Sequence, residues 1–190
     1  METRIILCGL GGQGIVFLTR LLAQAALTLE LPVMVSETHG MSQRGGSVMS
    51  HLKIGGNQAP LIQMGTADIL FAMDSDEAVR NLPYLREGGA IFANSLAGLR
   101  AEVSGTIKRM NFAVHSVAAS QIGSLLGIPA SANVVLAGFS TAFPENSLPR
   151  HSMMESLEKL SKRNLVLNRQ AFEAGYREGK KTALIANGSP

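Results

Sequence analysis

At 190 residues, 46% hydrophobic and 16% charged, the chain suits one domain with a sizeable core and is short for a cofactor domain plus a substrate domain. That composition argues against disorder, and no apolar stretch approaches the length that spans a bilayer. Residues 1–95 carry six Lys/Arg against eight Asp/Glu and residues 96–190 carry eleven against six, a split of −2 and +5. The basic surplus is interleaved with Glu155, Glu158, Glu173 and Glu178 at helical spacing and offers only Phe172 and Tyr176 as aromatic platforms, which reads as a solvated face and not a nucleic-acid patch.

Cys8 is the only cysteine, so one chain can hold neither an internal disulfide nor a cysteine-ligated cluster. The opening METRIILCGL has no long apolar core followed by a small-residue cleavage site, so a cytoplasmic location is expected.

In chain order, residues 4–8 predict a short buried strand, residues 9–14 a glycine turn, and residues 15–29 a helix. Residues 32–35 predict a second strand and residues 37–46 a polar loop. Alternation over 48–54 suits a half-buried strand at or near a sheet edge. The run ILFAM at 69–73 reads as a strand buried on both faces, with Asp74 and Ser75 capping the short helix that follows. Residues 90–93 and 113–114 supply two further strands. Helices are expected at 118–126 and 133–143, around a break at 127–129, and near 152–162 and 169–180, with Asn168 as N-cap of the last. The final NGSP reads as a frayed end. The expected fold class is α/β: a single three-layer Rossmann-like domain over 1–190, with a mostly parallel sheet and C-terminal helices.

Two loops carry the chemistry. Gly9, Gly11 and Gly14 give the G-x-G-x-x-G spacing, with Gly12 and Gln13 inside it, between a strand and a helix. Glycines let the backbone approach a ligand closely, and the helix start offers free N–H groups to an anion. Glu37 lies about twenty residues on, where a dinucleotide site keeps its ribose-binding carboxylate. A stand-alone nicotinamide-dinucleotide-binding oxidoreductase is therefore one reading; a turn that only packs the helix on the sheet is another. The second loop gathers His39, Gly40, Gln43, Arg44, Gly45 and Gly46 beside the first. An imidazole and a guanidinium fork suit phosphate or carboxylate, with glycine amides to join them.

Together, "GLGGQGIVFLTRLLAQAAL" and "VSETHGMSQRGGSVMSHLKIG" closely resemble the gamma-type domain of the ferredoxin-dependent 2-oxoacid oxidoreductases, on the side of the small (beta) subunit of the indolepyruvate branch. The resemblance runs on through "GTADILFAMDSDEAVRNLPYLREGGAIFAN" and, more loosely, "NVVLAGFSTA" and "LNRQAFEAGY". It implies a complex that converts a 2-oxoacid and coenzyme A to acyl-CoA and carbon dioxide while reducing ferredoxin. It also implies thiamine diphosphate and iron–sulfur clusters on a large partner subunit, since this chain has no Gly-Asp-Gly motif and one cysteine. What remains for this chain is to help bind coenzyme A or shape the active-site mouth, as part of a hetero-oligomer.

Other candidates are weaker. His51, His115 and His151 show no metal spacing, so no metal is expected. Asp74, Asp76 and Glu77 read as helix-start acids, with Asp74 near the ligand edge of such sheets. Residues 48–52 and 153–160 are apolar candidates for an assembly surface or simply core.

Overall fold

β1 (Thr3–Leu10) runs through the middle of a sheet, burying Ile5 and Leu7 on one face and Ile6 and Cys8 on the other. That two-sided burial is why the segment reads as a continuous apolar run. The computed structural model describes residues 2–39, 45–56, 59–162 and 164–187. After β1 come α1 (Ile15–Thr28), β2 (Val33–His39), β3 (Ser47–Ile54), β4 (Ala67–Ala72), α2 (Ser75–Asn81), β5 (Leu85–Asn94), α3 (Ser104–Arg109) and β6 (Ala113–Val117). Four helices follow: α4 (Ala119–Leu125), α5 (Ala132–Ser140), α6 (Arg150–Leu160) and α7 (Leu165–Asn187). Among the described residues the strands form one six-stranded sheet in the order β2-β3-β1-β4-β5-β6.

The β1–β4, β4–β5 and β5–β6 pairings are parallel, as expected; β2 and β3 form an antiparallel hairpin laid beside β1. Residues of α1, α4, α5, α6 and α7 pack on the Ile5/Leu7 face, and residues of α2 and α3 on the Ile6/Cys8 face, completing three layers. α5 and α7 cross so closely that a Cβ on Gly138 would overlap the Phe172 carbonyl and one on Gly175 the Val135 carbonyl. No helix among the described residues is long and apolar enough to cross a membrane.

Four expectations need correction. The loop placed at 37–46 starts later, because β2 continues through Glu37, Thr38 and His39, whose backbones pair with Ser50, Met49 and Val48 of β3. β3 does lie near the sheet edge, between β2 and β1, but it is not half-buried, because Leu52, Ile54, His51 and Lys53 are buried on both faces. Asn168 is not an N-cap, because α7 already begins at Leu165; its Nδ2 instead donates to Ser161 Oγ (2.9 Å) and ties α7 to the end of α6. α3 was not anticipated: a six-residue helix with no buried residue gives the sequence no apolar stripe to show. The predicted frayed end at 188–190 lies outside the described residues, although α7 itself runs to Asn187.

The basic C-terminal helices carry the expected solvated pairs: Lys159 with Glu155, Lys181 with Glu178, Arg169 with Glu158 and Arg150 with Glu173. Met153 and Leu157 of α6 are fully buried, so that apolar stretch is largely core.

Candidate functional site

The glycine turn is closed by one side chain. Gln13 Oε1 accepts the Leu10 N–H (2.7 Å), while the Gln13 N–H donates to the Leu10 carbonyl (3.1 Å). Gln13 therefore shapes the turn. Gly9, near the end of β1, lies tightly against Met73, whose N–H donates to the Cys8 carbonyl (2.9 Å). Gly14 is the N-cap of α1 at φ +79°, and a Cβ there would collide with Asn133. Asn133 Nδ2 donates to the Gly14 carbonyl (3.1 Å), so the turn rests on the first turn of α5. Gly12 is different. Its φ is +97°, it is exposed, and a Cβ there would meet nothing within 4 Å. One glycine thus holds a left-handed backbone beside open space, where a ligand can approach.

Among the described residues no side chain caps α1, and no acidic residue stands in its first turn. Its residues Ile15 and Val16 line an open depression of about 290 Å³ with Leu10, Gly11, Gly12, Gly14 and Val48. Uncapped amides at a helix start of this length favour an anion.

The second loop reaches the first through its described end. Gly11 donates its N–H to the Gly46 carbonyl (2.9 Å), and a Cβ on Gly11 would lie 3.2 Å from the Gly45 nitrogen. Ser47 then opens β3 opposite Leu10. Gly9, Gly11, Gly12, Gln13, Gly14, Gly45 and Gly46 are therefore brought together. Gly40, Gln43 and Arg44 lie outside the described residues, and His39 is placed only by its backbone, opposite Val48.

Glu37 sits elsewhere. A dinucleotide fold sets its second strand parallel to and beside the first. Here β3 occupies that place, antiparallel, and β2 is one strand further out. Two strand spacings put Glu37 about 10 Å from the line of β1. Glu37 therefore does not take the place beside β1 that the nicotinamide reading gave it.

Several contributors escaped sequence reasoning. Asn133 is 119 positions from Gly14, and no local pattern announces such a contact. Asn94 stitches the strand ends: its Nδ2 donates to the Met73 carbonyl (3.1 Å) and to Ser120 Oγ (2.8 Å), and its Oδ1 accepts the Ser120 N–H (3.0 Å). Ser47 Oγ donates to Glu77 Oε2 at 2.6 Å. Asp74 does cap α2, accepting the N–H groups of Asp76 (2.9 Å) and Glu77 (3.1 Å). Glu77, expected to be only a helix-start acid, is buried.

Two histidines are packed into the fold. His51 is 3% exposed, accepts the Ile62 N–H at Nδ1 (3.1 Å), and packs edge-on to Tyr84. Burial and then Lys53 push its pKa down. His115 stacks on Phe92 and packs tilted against Phe143, with Nε2 3.2 Å from Glu145 Oε1. Among the described residues no cluster could hold a metal ion. Cys8 is buried, and burial, then Glu77 and Asp74, raise its thiol far above the usual range.

The family profile described as pyruvate ferredoxin/flavodoxin oxidoreductase matches residues 4–178. The chain is 32% identical to the indolepyruvate oxidoreductase subunit IorB of Archaeoglobus fulgidus, over 94% of this chain and 96% of that protein. Its fold is similar to the keto/oxoacid ferredoxin oxidoreductase gamma subunit of Geobacter sulfurreducens, with a TM-score of 0.74, 21% identity, and 93% and 98% of the two chains covered. It is also similar to part of the 2-oxoglutarate:ferredoxin oxidoreductase of Magnetococcus marinus, a structure with 2-oxoglutarate, coenzyme A and succinyl-CoA bound. There the TM-score is 0.78 at 22% identity, covering 95% of this chain and 31% of that one.

Proposed function

Because the chain belongs to the pyruvate ferredoxin/flavodoxin oxidoreductase family, we propose that it is the small subunit of a 2-oxoacid:ferredoxin oxidoreductase acting on indolepyruvate. The reaction cleaves the bond between carboxylate and keto carbon, releases carbon dioxide, and joins the acyl carbon to the sulfur of coenzyme A. The substrate gives up two electrons to ferredoxin, and the thiol proton is released. Thiamine diphosphate, when bound, supplies the electron sink for that cleavage, and the protein supplies binding and orientation. Support for a large partner carrying this group and the clusters is chemical: the sequence has one cysteine, buried, and no Gly-Asp-Gly diphosphate motif.

The part proposed for this chain is to hold a phosphate of coenzyme A at the mouth formed by Gly11, Gly12, Gly45 and Gly46. The observation that carries this reading is the bare first turn of α1 beside Gly12, with open space above both. The residues fit an anion. The α1 amides donate, the Gly12 backbone lets a phosphate come close, and no carboxylate in the first turn opposes it. Gln13 keeps the turn shut, and a guanidinium such as that of Arg44 has the chemistry of a second phosphate donor.

Gly12→Val in the assembled enzyme tests this. The KM for coenzyme A should rise at least tenfold, a loss of about 1.4 kcal/mol, with the KM for the 2-oxoacid unchanged. Calorimetric titration with desulfo-coenzyme A should show the same loss. Unaltered affinity would remove the mouth from coenzyme A binding.

A further inference from the structure

The sequence Asp74-Ser75-Asp76-Glu77 has the form of a capping box, in which the fourth residue turns back to the cap. Only half of that box forms. Asp74 caps the helix, but the Glu77 carboxylate turns away toward the sheet: Oε2 accepts Ser47 Oγ (2.6 Å), and Oε1 accepts Arg80 Nη1 (2.5 Å). Glu77 is 1% exposed, and Asn81 Nδ2 donates to its backbone carbonyl (2.8 Å). A buried carboxylate persists only where its oxygens are filled, and here one of the two fillers is a strand residue thirty positions upstream.

We infer that Glu77 is the positioning residue of the mouth, fixing Ser47 against α2 and, through it, the Gly46 carbonyl that receives the Gly11 N–H. The inference rests on the mouth being the coenzyme A site. Ser47 pairs with Leu10 in the last rung of the β1–β3 ladder, and the Gly11–Gly46 bond continues directly beyond it. Ser47 itself is exposed, and its hydroxyl bond to Glu77 ties its side chain to α2. The two turns are thereby held by a group on the far face of the sheet. Arg80, exposed over 69% of its side chain, neutralises the carboxylate from the solvent side and leaves the second oxygen to Ser47.

Ser47→Ala removes the hydroxyl at an exposed position, and Ser47→Thr restores it. In the full chain alone, amide exchange at Gly11 should be at least tenfold faster in Ser47→Ala, return to within threefold of the parent in Ser47→Thr, and leave Ile5–Leu7 unchanged. Glu77→Gln should also accelerate it, and adding Ser47→Ala to Glu77→Gln should add little. In the assembled enzyme, Ser47→Ala should raise the KM for coenzyme A at least fivefold with kcat within twofold. Unchanged Gly11 exchange, or acceleration spread evenly over β1, overturns the positioning role. A normal KM in Ser47→Ala beside a raised KM in Gly12→Val also overturns it, while the coenzyme A site stands. If Gly12→Val has no effect either, the site and the inference fall together.

Discussion

The helices α1 and α2 start at the same end of adjacent parallel strands, β1 and β4, yet they treat their first turns in opposite ways. α2 is closed by its own carboxylates: Asp74 accepts two backbone N–H groups, and Asp76 and Glu77 stand in the first turn. α1 has a glycine for a cap, no carboxylate, and a glycine at φ +97° in front. Among the described residues one helix start is capped by side chains of its own and the other is not. A similar contrast separates the two ends of the sheet. At the far end a cavity of about 350 Å³ holds Glu2, Arg4 and Lys53, but Arg4 donates to Glu2 at 3.0 Å. Charge alone does not make an anion site; donors without an internal acceptor do.

The contrast can be broken from either side. The largest effect is expected from Gly14→Ala, which forces a left-handed backbone and a collision with Asn133; it should cost about 3 kcal/mol, read by thermal or urea unfolding. Val16→Asp transplants the acid of α2 onto α1. The helix should lose no stability by dipole arguments, while the KM for coenzyme A rises about tenfold, or about 1.4 kcal/mol. A variant with unchanged KM would mean that the α1 amides meet no anion. Asp74→Ala uncaps α2 and should cost about 1 kcal/mol in unfolding with coenzyme A affinity intact.

The smallest effect concerns pH. His51 has its pKa lowered in the fold, so below about pH 6.5 the unfolded chain binds a proton that the folded chain refuses. Stability should be flat in this contribution above that pH and fall below it. His51→Gln should flatten the fall, measured as unfolding free energy between pH 5 and 7.

Local signals carried much of the architecture. β1, the glycine turn and α1 follow one another as the apolar run, the G-x-G-x-x-G spacing and the helical period require, and Asp74 caps α2 as its type suggests. What was not legible depends on partners distant in sequence. Glu37–His39 are polar enough for a loop, yet they are strand because β3 supplies their hydrogen bonds. Glu77 reads as a helix acid because nothing nearby reveals that Ser47 lies across the sheet. Of the proposed site, the meeting of the two loops was visible in their motifs. The support under Gly14 was not, because Asn133 comes from another layer of the fold.

The near contact of α5 with α7 has a consequence at the opposite side of that layer. Asn133 begins α5, and α5 is clamped along its length by Gly175 and its neighbours on the long C-terminal helix. The tail of the chain thereby works as a buttress: shortening it should loosen the support that Asn133 gives to Gly14.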